Sequence, residues 1–160
     1  PVLTCNPFRV SLPSDHVTTV QNYFSEYHLE YYRQRLYKHF PSRLHALLLF
    51  ATRVDAENFR TKHPGRVFGK TLARARSAGP YTVSFHDSSW LDYLRLPHNL
   101  SLETLDEVSR HYWSGTLVEE VGLRFLEERW REPPVIEALF QGTLEPLHKP
   151  QRSAWLPGFS

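Results

Sequence analysis

The stretch Pro133–Thr143, PPVIEALFQGT, decides how this chain is read. Two prolines cannot continue a preceding helix and Gly142 permits a sharp exit, so the run between them has defined ends. Val135, Ile136, Ala138, Leu139 and Phe140 suit a strand, and Glu137 interrupts it near the middle. Two readings follow. In one, Ile136, Ala138 and Phe140 form the core face and Glu137 stands towards water, as in a half-solvated antiparallel sheet. In the other, the strand holds a carboxylate rigidly because some chemistry needs it there.

The surrounding elements can be placed from the same signals. Residues 7–12, PFRVSL, alternate as a short strand in which Arg9 points away from Phe8, Val10 and Leu12. From Asp15, the spacing of Val17, Val20, Phe24, Tyr27 and Tyr31 predicts an amphipathic helix that Pro41 ends. The apolar run Leu44–Ala51 predicts a strand buried on both faces, and Thr52 with Asp55 marks a helix start that Pro64 and Gly65 close. Residues 65–79 fit strand and helix equally. YTVSFH, Tyr81–His86, alternates Tyr81, Val83 and Phe85 against Thr82, Ser84 and His86. Ser101 caps a helix whose buried stripe is Leu102, Leu105, Val108 and Tyr112. Thr116 with Glu119 predicts a further helix lasting until Pro133. The order is that of a mixed α+β domain spanning 1–160, with a Pro-rich, irregular C-terminal tail from about residue 146.

Composition narrows the classes. A chain of 160 residues that is 41% apolar fits one domain, and no run approaches the roughly 20 apolar residues of a membrane span, so no membrane partner is expected. A net charge of +2 with scattered basic residues does not suggest nucleic-acid binding. The single cysteine, Cys5, excludes an internal disulfide and a cysteine-rich metal cluster, and no two histidines stand four apart on a helix, so no metal is expected. There is no Walker loop, dinucleotide fingerprint, HExxH or GxSxG. The chain has no methionine and opens on Pro1, as would a trimmed sequence, a cleaved product or the C-terminal part of a longer polypeptide.

What remains is a dispersed set of residues: Arg9 on a first strand, Ser42 opening a second, Tyr81, Tyr112 and Trp113, and Glu137 inside a late strand. With the segments FPSRLHALLLFATRVDAENF, YTVSFHDSSWLDYL, YWSG and VIEALFQG, over roughly residues 8–145, the chain resembles the arginine–serine–glutamate class of bacterial mono-ADP-ribosyltransferases. It is similar in particular to toxin modules at the C-termini of polymorphic, Rhs-type secreted proteins.

The resemblance implies two small sheets forming a cleft with flanking helices, and NAD as the substrate. Glu137 would hold the ribose 2′-hydroxyl and stabilise the cationic sugar left when nicotinamide departs, and Ser42 would orient Glu137. Arg9 and Arg43 would meet the dinucleotide, a guanidinium fork being suited to phosphate. Phe50, Tyr81 or Trp113 would stack on nicotinamide. Val135 stands where arginine-modifying members carry a second acid, and PSRL replaces a fuller serine motif. The resemblance also implies a macromolecular acceptor in the target cell, a protein ahead of a nucleic acid, a neutralising immunity protein, and secretion or delivery within a larger polypeptide. Two other functions are open: a ribonuclease-type toxin using His28, His45 and Arg43, and a non-catalytic interaction domain presenting Tyr23, Tyr27, Tyr31, Tyr32 and Tyr37.

Overall fold

A computed structural model describes residues 15–94, 101–122, 124–125, 128–129 and 132–147. The strand expected at 7–12, with Arg9, and the tail beyond 147 lie outside the described residues.

The chain is a mixed α+β protein with small antiparallel sheets and flanking helices. Its helices are α1 (Asp15–Leu36), α2 (Arg53–Lys62), α3 (Pro64–Val67), α4 (Ser89–Leu94), α5 (Leu102–Ser114) and α6 (Val118–Val121). Its strands are β1 (Leu47–Phe50), β2 (Ala75–Ser77), β3 (Thr82–Asp87), β4 (Arg124–Phe125), β5 (Glu128–Arg129), β6 (Ile136–Gln141) and β7 (Leu144–Pro146). The main sheet has the order β1-β6-β3, and β2 pairs with β7 and β4 with β5. The strand read from PPVIEALFQGT is thus the central one, and Glu137 lies between Phe50 of β1 and His86 of β3. Central position fixes its backbone on both sides.

The core explains which face of β6 is inside. Leu105, Val108, Tyr112 and Trp113 of α5 pack with Leu29 of α1, Trp90, Leu91 and Leu94 of α4, Val118 of α6 and Leu139 of β6. Leu139 and Val135 are fully buried on the Glu137 side, so the water-facing reading of Glu137 is reversed: the carboxylate enters the helix-covered interior.

Several alternation patterns are inverted for the same reason. In β3 the buried side chains are Ser84, His86 and Asp87, whereas Phe85 is exposed. Polar groups tolerate that position because they satisfy one another: His86 bonds Ser84 Oγ at 2.8 Å and the Tyr112 carbonyl at 2.7 Å. In α1 the residues turned inward are Gln21, Ser25, Leu29 and Glu30, and the expected stripe of Val20, Phe24, Tyr27 and Tyr31 is exposed. Strand β1 is an edge rather than a doubly buried strand, with Leu47 and Leu48 exposed. The helix expected to run from 117 towards Pro133 stops at Val121, because Gly122 adopts a left-handed φ of 65°, and the Leu117 N–H donates to Glu120 rather than to Glu119.

Local signals fare better at two helix starts. Thr52 and Asp55 cap α2 reciprocally, at 3.0 and 3.2 Å, and Asp55 Oδ1 also accepts the Ile136 N–H at 2.8 Å, tying α2 to β6. Ser101 accepts the Thr104 N–H at the start of α5. Residues 65–79, undecided by pattern, supply most of α3 and the exposed strand β2.

Gly142 closes β6 with φ 152°, and a Cβ there would lie 2.8 Å from Tyr81 Cβ and 3.1 Å from the Pro80 carbonyl. Gly142→Ala should therefore lower the unfolding free energy by about 2 kcal/mol in denaturant melts. Gly65→Ala, with open space around it, should change it by less than about 0.5 kcal/mol.

Candidate functional site

Glu137 is 6% exposed and is held from one side only. Its Oε1 accepts from Arg43 Nη1 and from the Tyr112 hydroxyl, the latter at 2.7 Å. Arg43 Nη1 also reaches Tyr112 Oη at 3.2 Å, and its Nε donates to Glu26 at 2.7 Å. Among the described residues no hydrogen bond goes to Oε2 of Glu137. Both donors therefore converge on a single oxygen.

The sequence produces this clamp through three elements. Arg43 stands in the turn after Pro41, immediately before β1, and Tyr112 lies near the end of α5 in the buried stripe of that helix. Glu26 comes from α1 and Glu137 from the middle of β6. Arg43 thus stands between two carboxylates, Glu26 and Glu137, brought from different elements.

Burial and neighbours set the protonation. Burial opposes charge on Arg43, but the facing Glu137, Tyr112 and Glu26 outweigh it and hold its pKa well above the ordinary value. Burial, reinforced by Glu137, pushes the Tyr112 phenol well above its usual range, so it remains a donor. Beside them, burial pushes His86 down to about 4, and the Arg43 charge acts in the same direction against the bond to the Tyr112 carbonyl. The imidazole that stacks on Tyr112 at 4.5 Å is neutral at pH 7.

Glu137 and Arg43 also line a cleft of about 110 Å³. Leu48, Leu49 and Phe50 form one wall, Phe59, His63 and Arg66 another, and Ser88, Leu91 and Asp92 complete it. Phe50 and Phe59 meet with ring centres 5.1 Å apart, and His63 Nε2 lies 3.2 Å from Asp92. Arg66 forms no ion pair among the described residues. A shallower depression of about 300 Å³ lies on α1, lined by Thr19, Asn22, Tyr23, Glu26 and Leu44. It is larger, but it offers no convergent set of ionisable groups like that of the first.

The remaining expected site residues separate. Ser42 does not reach Glu137: its hydroxyl donates to Glu30 at 2.9 Å, on a carboxylate that Arg33 and Gln34 also hold. Arg43, expected at the dinucleotide, is instead bound to Glu137 and Glu26. Trp113 is 1% exposed, donates from Nε1 to the Leu29 carbonyl and packs edge-on against Tyr112 and His86, so it has no face for a ligand. Tyr81 is 54% exposed and stacks on Phe140, on the opposite face of the sheet from Glu137. Phe50 alone among the expected aromatics lines the cleft. Glu26, the Tyr112 hydroxyl, Phe59, His63, Arg66 and Asp92 were not foreseen. The Tyr112 position in a helical stripe was legible, but the partner of its hydroxyl depends on long-range packing.

His86 makes the fold sensitive to acid. The folded state binds its proton only near pH 4, the unfolded chain near 6.5, so the stabilisation is complete above 6.5 and is lost as pH falls towards 4. About 3 kcal/mol should disappear over that window in pH-dependent denaturant melts, and the loss should be much smaller in His86→Gln. Comparison with protein-family models, with curated proteins and with solved structures found no match, so the site stands on its own geometry.

Proposed function

We propose that this chain is an NAD-dependent mono-ADP-ribosyltransferase that moves ADP-ribose from NAD to a macromolecular acceptor, and that its elements form an ADP-ribosyltransferase-like fold. The observation that carries this reading is the half-occupied carboxylate of Glu137. Its Oε1 is fixed by Arg43 and Tyr112, and its Oε2 is the oxygen left to meet a ribose 2′-hydroxyl and the positive charge that develops as nicotinamide departs. A carboxylate already oriented needs no reorganisation when that charge appears.

The cleft supports the same reading at the scale of one ring. At about 110 Å³ it is smaller than the roughly 300 Å³ at which small-molecule sites begin, so it accommodates the nicotinamide end while the rest of the dinucleotide follows the open mouth. Phe50 and Phe59 present aromatic surface there, and Arg66 takes the phosphate-binding part that Arg43 cannot, being already engaged. Arg9 remains a further candidate for the phosphates, and Ser42, bonded to Glu30, has no part at Glu137.

The outer face of α1 favours a second role that is compatible with the first. Tyr23 and Tyr27 are 76% and 69% exposed, with Val20, Phe24 and Tyr31 beside them, an apolar helix face of the kind that binds proteins. We assign it to the neutralising partner that a toxin or effector delivered into another cell requires.

Incubating the chain with NAD labelled in the adenylate half and a cell lysate tests the enzyme. The parent should label protein and release nicotinamide, and Glu137→Gln should lose at least 100-fold of both while keeping a cooperative thermal transition. A parent that releases no nicotinamide, or a Glu137→Gln protein as active as the parent, would overturn the reading.

A further inference from the structure

The cleft contains a second reactive pair, independent of the Glu137 clamp. His63 closes α2 and starts α3, and its ring packs on Phe59 with centres 4.7 Å apart. Its Nε2 is 3.2 Å from Asp92 Oδ2 on α4, with the two side chains 22% and 17% exposed. With Asp92 as acceptor, Nε2 carries the hydrogen and the lone pair lies on Nδ1, which makes no hydrogen bond among the described residues. Apart from Glu137, His63 and Asp92 are the bases that line this cleft among the described residues.

We infer that His63, oriented by Asp92, is the general base that activates the acceptor, and that the acceptor group is an alcohol or phenol hydroxyl. The inference rests on the transferase reading above. A base paired with an orienting carboxylate is the arrangement that makes a weakly acidic hydroxyl nucleophilic. A hydroxyl becomes nucleophilic by giving one proton to such a base, whereas a guanidinium is not deprotonated in a protein. In the reaction the C1′–N bond to nicotinamide breaks and its electron pair leaves with the ring, which becomes neutral. The acceptor oxygen bonds to C1′, and its proton passes to Nδ1 of His63, where the imidazolium is stabilised by Asp92. Two separate tasks are thereby divided between two walls: Glu137 stabilises the sugar cation and His63 takes the proton of the acceptor hydroxyl.

The test compares the parent with His63→Ala and Asp92→Asn, each checked for a cooperative thermal transition. Label transfer to protein and nicotinamide release are measured together, with and without added imidazole. Expected for His63→Ala is a loss of transfer of about 100-fold, with release falling much less, so that the ratio of release to transfer rises. Imidazole should restore part of the transfer to His63→Ala and none to Asp92→Asn, whose ring is still present. The parent's product should survive neutral hydroxylamine, as an ether-type glycosidic link does and an ester to a carboxylate does not. Transfer by His63→Ala equal to the parent's, equal losses of transfer and release without imidazole rescue, or a hydroxylamine-labile product would overturn the inference while leaving the transferase standing. A parent that releases no nicotinamide would remove both.

Discussion

The ion pair between Arg43 and Glu137, with the Tyr112 hydroxyl as its third member, is the constraint on which the rest of the structure depends. It joins the turn before β1, the centre of β6 and the end of α5, and through Glu26 it reaches α1. Removing one partner of such a buried pair leaves a charge without compensation, typically at a cost of about 3–5 kcal/mol. Replacing the whole pair with apolar groups of similar volume is often neutral or stabilising, so burial strength alone does not account for a pair in the middle of a sheet. Its asymmetry is more informative: both donors act on one oxygen of Glu137, a residue that also lines the cleft.

Polar anchors keep that geometry in place. Asp55 caps α2 and also accepts the first N–H of β6, so the helix that carries Phe59 cannot drift from the strand that carries Glu137. Asp87, fully buried at the end of β3, accepts backbone N–H groups from Ser89, Val118 and Val135, which ties α4, α6 and the entry to β6 to one carboxylate. Each anchor satisfies backbone donors that water cannot reach. The cleft is therefore walled by elements whose ends are hydrogen-bonded to the central sheet, which is the rigid mounting that a positioned charge requires.

The sequence disclosed the parts of this arrangement that depend on neighbours in the chain. The Thr52–Asp55 capping pair, the Ser101 cap and the strand bounded by Pro134 and Gly142 are local chemistry and were legible. Which face of each element turned inward was not. Gln21 and Ser25 are buried while Tyr23 and Tyr27 are exposed, and His86 is buried while Phe85 is not, because inward polar groups found partners on other elements. Binary patterning carries no information on such partners. Glu137 was recognisable as an anomaly within its strand, but its clamp by a residue 94 positions earlier in the chain was not. The same limit misplaced Ser42, one residue from the guanidinium that does the binding, and Trp113, whose neighbour Tyr112 supplies the hydroxyl.

The proposed division of labour assigns one task to each wall of the cleft. The β6 side carries Glu137, the α2–α4 side carries His63 and Asp92, and Phe50 and Phe59 line the same cleft. The most direct measurement is a crystal structure of Glu137→Gln with NAD bound. The account predicts the nicotinamide ring against Phe50 and Phe59, with the ribose 2′-hydroxyl within about 3 Å of the side chain at position 137. NAD bound away from this cleft, or position 137 sealed from the ligand, would contradict it.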